Sequence, residues 1–348
     1  RTHIFVYPFS LNFTKNFPSL LDLEPMALNS EPTSVDLLQD STPVIDYSLL
    51  TIGTADDRSK VVHDLGKACQ DWGCFMLVNH GIPETLIHEM MNASNEFFNM
   101  TKEEKVEFAA LGVLDPIRCS TGFNPVNKYK DSLWREYLRL IVHPEFHCPY
   151  KPPGFSELAS YYVKRTRTVA MELVKGVSES LGFEASYMYE ELNLDSGFQL
   201  LAINYYPSLA EFDTPRGLMP HTDHGLLTLL YENGVPGLEV LLNGKWVSMS
   251  DVPNAFLVLN SDHLEIFSNG KYKSKLHRTV VKDERKRITL VNPNGPSLDT
   301  IVGPSSRLVD GENNLPGYLP MKYSEYLELQ TKLTMAGKHA FDKVRLHI

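Results

Sequence analysis

Along the first 42 residues, apolar runs are cut short at Pro8, Pro18, Pro25 and Pro32, so this stretch reads as an irregular arm. Pro43-Val44-Ile45-Asp46-Tyr47 then reads as a short buried strand. From Asp57 to Trp72 the apolar residues Val61, Val62, Leu65, Ala68, Cys69 and Trp72 recur at helical spacing, and Gly73 stops the helix. Cys74-Phe75-Met76-Leu77-Val78 reads as a buried strand. A second helix over 84–99 turns Leu86, Ile87, Met90, Met91 and Phe98 inward. Thr101 with Glu104 forms a capping box for a third, and a long helix over 155–181 ends at Gly182. After residue 196 the pattern changes to short apolar segments separated by turn signals, including Asn233-Gly234, Asn243-Gly244 and Asn269-Gly270, each a hairpin cue. At least seven strands fit between 198 and 293, a density that points to a jelly roll or related double-sheet barrel. A helix near 322–338 closes the chain. The expected plan is an arm (1–42), a helical N-terminal region (43–185) and a jelly-roll core with a C-terminal helix (186–348), mainly β with α.

The bulk numbers narrow the class. A chain of 348 residues buries roughly 75% of its unfolded surface, so it needs no disulfide or structural metal to be stable. Net charge is −10, from 33 basic and 43 acidic residues. The lysines are scattered, which leaves neither a basic footprint for nucleic acid nor a polybasic patch for a membrane. No apolar run reaches the roughly 18 residues of a membrane span. Cys69, Cys74, Cys119 and Cys148 include no CxxC pair, and they read as free thiols in a reducing compartment. The sequons at Asn12, Asn92 and Asn99 stand without a secretory signal. A soluble cytoplasmic monomer is expected. The sequence opens at Arg1 rather than at a methionine, which reads as a missing or processed start.

The chemistry centres on Pro220-His221-Thr222-Asp223-His224-Gly225. Side chains two apart on a strand share a face, so His221 and Asp223 converge. His277, in Lys275-Leu276-His277-Arg278 on a later strand, offers a third ligand. Two imidazoles and one carboxylate make the facial triad of non-haem iron(II), which leaves three coordination positions open. Their ligating atoms should lie within about 4 Å of one another, as metal bonds near 2.1 Å require. An isolated His-x-Asp is a weak signal. Ten residues beyond His277, Arg287-Ile288-Thr289 places a guanidinium and a hydroxyl on one strand face, a pair able to hold a carboxylate. By contrast, His88-Glu89-Met90-Met91-Asn92 lacks the second histidine of a zinc-protease helix. His80 reads as a turn residue, His224 as structural, and His263 has no assigned part.

These pieces resemble a family. Pro43-Val44-Ile45-Asp46, Trp72-Gly73-Cys74-Phe75, Val78-Asn79-His80-Gly81, Trp134-Arg135-Glu136-Tyr137 and Asn204-Tyr205-Tyr206-Pro207 occur in the order seen in plant iron(II)- and 2-oxoglutarate-dependent dioxygenases of specialised metabolism. The triad segments and Arg287-x-Thr289 follow in register, so the likeness covers about 43 to 345. Asn294-Gly295-Pro296-Ser297-Leu298-Asp299-Thr300 looks closest to the dioxygenase 19-like group.

The resemblance implies a double-stranded β-helix that carries the iron, with 2-oxoglutarate and O2 as cosubstrates and ascorbate as a reductant that keeps the iron ferrous. It makes Arg287 and Thr289 the anchor for the distal carboxylate of 2-oxoglutarate and adds Asn204 and Tyr206 to that pocket. The implied reaction is oxidation of a small organic metabolite, expected as hydroxylation, with release of succinate and CO2. The alternatives are O-demethylation, desaturation or ring closure by the same oxidant, or a non-catalytic small-molecule binder on the same fold. Phe123, Tyr137, Arg139 and Pro293 are expected at the substrate mouth, with Trp134 close by. Three positions depart from the family pattern: Thr289 stands for serine, Ser261 for the glycine of a Gly-Asp pair, and Pro293 for an aromatic of flavonoid-oxidising members.

Overall fold

The computed structural model describes residues 42–110, 112–120, 134–208, 216–249, 252–311, 313–335 and 340–346. The arm expected at 1–42 lies outside them, apart from Thr42.

Strand β1 (Val44–Asp46) leads into α1 (Tyr47–Thr51), and α2 (Ala55–Lys67) starts at a capping box between Thr54 and Asp57. A single widened helical turn, Ala68–Trp72, ends at Gly73, whose φ of +69° makes it a left-handed cap. Strand β2 (Cys74–Val78), α3 (Glu84–Asn99) and α4 (Lys102–Val106), the last capped by Thr101 with Glu104, follow as expected. Then come β3 (Ile117–Ser120), β4 (Glu136–His143), α5 (Phe155–Ser180) and α6 (Tyr187–Glu191). The barrel strands are β5 (Gln199–Tyr206), β6 (Arg216–His221), β7 (Leu227–Glu232), β8 (Leu238–Leu242), β9 (Lys245–Ser248) and β10 (Phe256–Asn260). After α7 (Asp262–Phe267), β11 (His277–Val281) and β12 (Arg287–Asn294) complete them. The chain closes with β13 (Ile301–Val302), β14 (Met321–Lys322), α8 (Tyr323–Met335) and α9 (Phe341–Val344).

The strands form one sheet in the order β1-β2-β10-β7-β12-β5-β4-β3 and a second in the order β6-β11-β8-β9. From β5 to β12 the chain crosses back and forth between the two sheets, staying in the smaller one for the β8–β9 hairpin, which winds it into the jelly roll that the strand density implied. Strands from both sides of residue 185 share the larger sheet, so the helical N-terminal region and the barrel are built on one framework.

Strand alternation divides the large sheet. Leu138, Leu140 and Val142 of β4, with Leu201 and Ile203 of β5, join the buried cluster under the helices, where Tyr162, Leu173 and Val177 of α5 pack. Each such fully buried apolar side chain contributes roughly 1.5–3 kcal/mol. The opposite face looks into the barrel. One end of that interior is filled by Met76, Leu230 and Leu257 against Leu238, Val240 and Leu242 of the smaller sheet. The other end is polar.

Of the three Asn-Gly signals, one is a hairpin turn: Asn243 (φ 49°) and Gly244 (φ 78°) join β8 to β9. Asn233-Gly234 leaves the large sheet for the small one. Asn269-Gly270 (φ 50° and 84°) ends the helix α7, with Gly270 N–H donating to Glu265 O at 2.8 Å. Successive left-handed residues serve a helix C-terminus as well as a tight hairpin, so the dipeptide marks the conformation rather than the topology.

Candidate active site

His221 ends β6, and His277 begins β11 directly opposite it in the ladder. Asp223 lies two residues past β6. The three offer ligand atoms that all lie within 4.8 Å of one another. Asp223 Oδ1 is 3.7 Å from His221 Nε2 and 3.8 Å from His277 Nε2, so these two separations meet the 4 Å expectation. The imidazoles stand 4.3 Å apart between centroids. Each histidine turns Nδ1 to the carbonyl two residues before it: His221 to Met219 O at 2.8 Å, His277 to Lys275 O at 3.1 Å. A carbonyl only accepts, so Nδ1 carries the proton and both Nε2 lone pairs point inward. Asp223 Oδ2 is buried without a hydrogen-bond partner, an orphaned acceptor that a cation would satisfy. Burial first, and the neighbouring His277 second, push the His221 imidazole down to about 3, which keeps it neutral and able to ligate. Burial opposes ionisation of Asp223, but His277 and His221 outweigh it and hold the carboxyl below its usual range. The residues fit iron(II).

The segment between the ligands is clamped from behind. Gly225 (φ +92°) turns the chain so tightly that a Cβ there would lie 2.6 Å from Asn294 O. Asp262 N–H donates to Asp223 O at 2.9 Å and His263 N–H to Gly225 O at 2.8 Å. The Asp262 carboxylate accepts from Tyr326 at 2.5 Å and Thr222 at 3.2 Å, and burial pushes it up to about 7. Ser261, which replaces the family's glycine, has φ −115°, an extended conformation open to any residue, so the turn survives the substitution. His224 Nδ1 meets Tyr323 OH at 2.7 Å and is structural, as expected. His80 is too: Nε2 meets Asn254 O at 3.0 Å and Nδ1 accepts from Ile82 N–H.

Deeper in the barrel, Arg287 of β12 is 1% exposed. Its Nε donates to Val235 O at 3.0 Å and its Nη2 to Glu232 Oε2 at 2.5 Å, while the guanidinium lies 5.4 Å from the Tyr206 ring centroid. Gly237 leaves the space: a Cβ there would stand 3.2 Å from Arg287 Nε. Across the sheet, Thr289 pairs with Asn204 of β5 on one side and Glu232 of β7 on the other. Asn204 Nδ2 donates to Thr289 Oγ1 at 3.2 Å, and Asn204 Oδ1 accepts from Arg135. Arg287, Thr289, Asn204 and Tyr206 therefore come together on neighbouring strands of the large sheet.

Tyr137 and Arg139 share the barrel face of β4, with Arg139 directly opposite Arg118 of β3. Pro293, buried on β12, continues the alternation of Arg287, Thr289 and Val291. Phe123 lies outside the described residues. Sequence reasoning passed over Arg135, Arg118 and Glu232. Arg135 was within reach, since 135, 137 and 139 alternate onto one face. The other two depend on cross-strand register.

Comparison with known proteins agrees with this geometry. The family description "non-haem dioxygenase in morphine synthesis N-terminal" matches residues 42–156, and "2OG-Fe(II) oxygenase superfamily" matches residues 197–294. The chain is 43% identical over 305 residues to 2-oxoglutarate-dependent dioxygenase 19 of Oryza sativa subsp. japonica, covering 87% of this chain and 90% of that one. It is 35% identical to DMR6-LIKE OXYGENASE 2 of Arabidopsis thaliana, covering 88% of each. Among solved structures, JOX2 in complex with 2OG, Fe and JA superposes with a TM-score of 0.74 at 25% identity, covering 88% of this chain and 90% of that one. The barrel, the inward-facing triad donors and these likenesses agree: the chain belongs to the 2OG-Fe(II) oxygenase superfamily as a 2-oxoglutarate-dependent dioxygenase that oxidises small molecules.

Proposed function

We propose that the protein hydroxylates a small organic metabolite at an iron(II) held by His221, Asp223 and His277. The observation that carries this assignment is the convergence of two Nε2 atoms and one carboxylate within 4.8 Å, each imidazole locked by its own Nδ1 hydrogen bond. When bound, iron(II) with 2-oxoglutarate supplies an oxidant by coupling decarboxylation of the cosubstrate to reduction of O2. The protein's part is to hold and orient. Arg287 and Thr289 would grip the distal carboxylate, with Asn204 and Tyr206 completing the wall. The Val235 carbonyl and Glu232 fix the guanidinium plane in advance, which limits the ordering cost of binding. All four cysteines are free, which supports a reducing compartment such as the cytoplasm.

The test is release of succinate and CO2 from 2-oxoglutarate by the purified protein with iron(II), ascorbate and air. Turnover that disappears in His277→Ala supports the proposal. A wild-type rate in that variant refutes it. Carrying out the reaction on the native substrate under 18O2 separates hydroxylation, which leaves label in the product, from desaturation, which leaves none.

A further inference from the structure

The large sheet brings together a second group of cations. Arg139 of β4 stands directly across from Arg118 of β3, and Arg135, one residue before β4, lies against the same Tyr137 ring as Arg139. Like charges directly opposite on neighbouring strands destabilise a sheet unless something neutralises them. Among the described residues neither Arg118 nor Arg139 forms an ion pair, and the Nε of each is buried without a hydrogen-bond partner. Arg135 and Arg139 lie 5.0 and 5.5 Å from the Tyr137 ring centroid, a partial substitute at most. Burial and the charges of Arg135 and Arg118 together push the Arg139 guanidinium down to about 10.

The nearby carboxylates are engaged elsewhere. Glu136 is tied to Lys105 at 2.8 Å on the opposite side of β4. Asp115 borders the same cleft as Arg118 and Arg139 but forms an ion pair with neither; its Oδ2 accepts Gly112 N–H at 2.6 Å, a bond that satisfies one oxygen without neutralising the carboxylate. Asp223 acts on Arg139, yet it belongs to the triad. The cleft also carries Ile141, Leu200 and His224, so one wall is apolar and the other cationic, and His224 follows the ligand Asp223 directly in the chain.

We propose that Arg118 and Arg139 bind a carboxylate of the oxidised substrate, so that this enzyme acts on small organic acids whose apolar part lies along Ile141 and Leu200. The two guanidiniums hold the acid group at the cleft, with Arg135 between them and the cosubstrate pocket through its bond to Asn204. The inference rests on the dioxygenase reading above and specifies the substrate class for that site.

The experiment uses the full chain loaded anaerobically with iron(II) and 2-oxoglutarate, and benzoate, phenylacetate and cinnamate as probes, each beside its primary amide. Binding is followed by calorimetry. The acids should bind at least about tenfold more tightly than their amides, the discrimination expected of charge-assisted bonds. In Arg118→Gln and Arg139→Gln the acids should lose about tenfold or more, while the dissociation constant of 2-oxoglutarate moves less than about twofold. The variants should also melt higher than the wild type without ligands, because a like-charge pair is removed. Equal binding of acids and amides, no binding of any acid at millimolar concentration, or acid binding untouched by both substitutions overturns the proposal. So does a loss confined to 2-oxoglutarate, which would assign these arginines to the cosubstrate. Binding of iron(II) and 2-oxoglutarate to the wild type is measured in the same cell, so failure of the dioxygenase reading is seen separately.

Discussion

Arg287 and Arg139 face the same barrel interior, yet they meet opposite surroundings. Arg287 has its plane set by Val235 O and is paired with Glu232 before any ligand arrives. Arg139 faces Arg118, with its Nε buried and unpaired. A cation already paired is stable alone and needs only a small adjustment to take one more carboxylate. A pair of repelling cations gains more from an anion and is less stable without one. The first arrangement suits a cosubstrate that every turnover requires. The second makes the site selective, because a neutral guest leaves the repulsion in place.

Substitutions sharpen this contrast. The largest effect is expected at the point both regions serve: Asp223→Ala should abolish succinate formation, since it removes the one carboxylate among the three ligands. Next, Arg287→Leu should weaken 2-oxoglutarate by about 10- to 100-fold, the worth of a buried charge-assisted pair. It should also lower stability by about 1–3 kcal/mol in chemical denaturation, because Glu232 and Val235 O lose their partner. An unchanged unfolding midpoint would show that the Glu232 pair contributes nothing. Gly237→Ala presses a methyl group against Arg287 Nε and should raise the KM for 2-oxoglutarate by about 3- to 10-fold with kcat nearly kept, as expected for modest overpacking. If KM holds, the plane of the guanidinium is not what anchors the cosubstrate.

The smallest effect concerns pH. His263 is buried between the rings of Tyr323 and Tyr326 with both nitrogens unpartnered, and burial pushes it down to about 3. Its folded value is depressed, so it contributes stability above the unfolded value near 6.5 that is lost progressively as pH falls toward 3. The metal-free protein should lose about 1 kcal/mol from this group between pH 6.5 and 5.5. His263→Phe keeps a ring in place and should flatten that slope, read from urea unfolding at the two pH values.

Much of the site could be read in the sequence because it depends on the two-residue period of a strand. His221 with Asp223, Arg287 with Thr289, and Tyr137 with Arg139 are each fixed by that period alone. His277 and the pocket residues Asn204 and Tyr206 needed the family resemblance or the later strand, and the fold then placed them opposite their expected neighbours. What stayed hidden depends on register between strands distant in sequence. Glu232 faces Thr289 across 57 positions, and Arg118 faces Arg139 across a segment whose length gives no pairing rule. The Asn-Gly pairs misled for a related reason: they specify backbone dihedrals, which a helix end and a hairpin share.

The central claim is that one metal ion is held by three particular side chains. Titration of iron(II) into metal-free protein under anaerobic conditions, followed by calorimetry, tests it for the wild type and for His221→Ala, Asp223→Ala and His277→Ala. The wild type should bind one iron(II) per chain. In each variant affinity should fall by more than about 100-fold, since loss of even a supporting outer group typically costs 10- to 100-fold. Any of the three variants binding iron(II) with wild-type affinity would contradict the assignment.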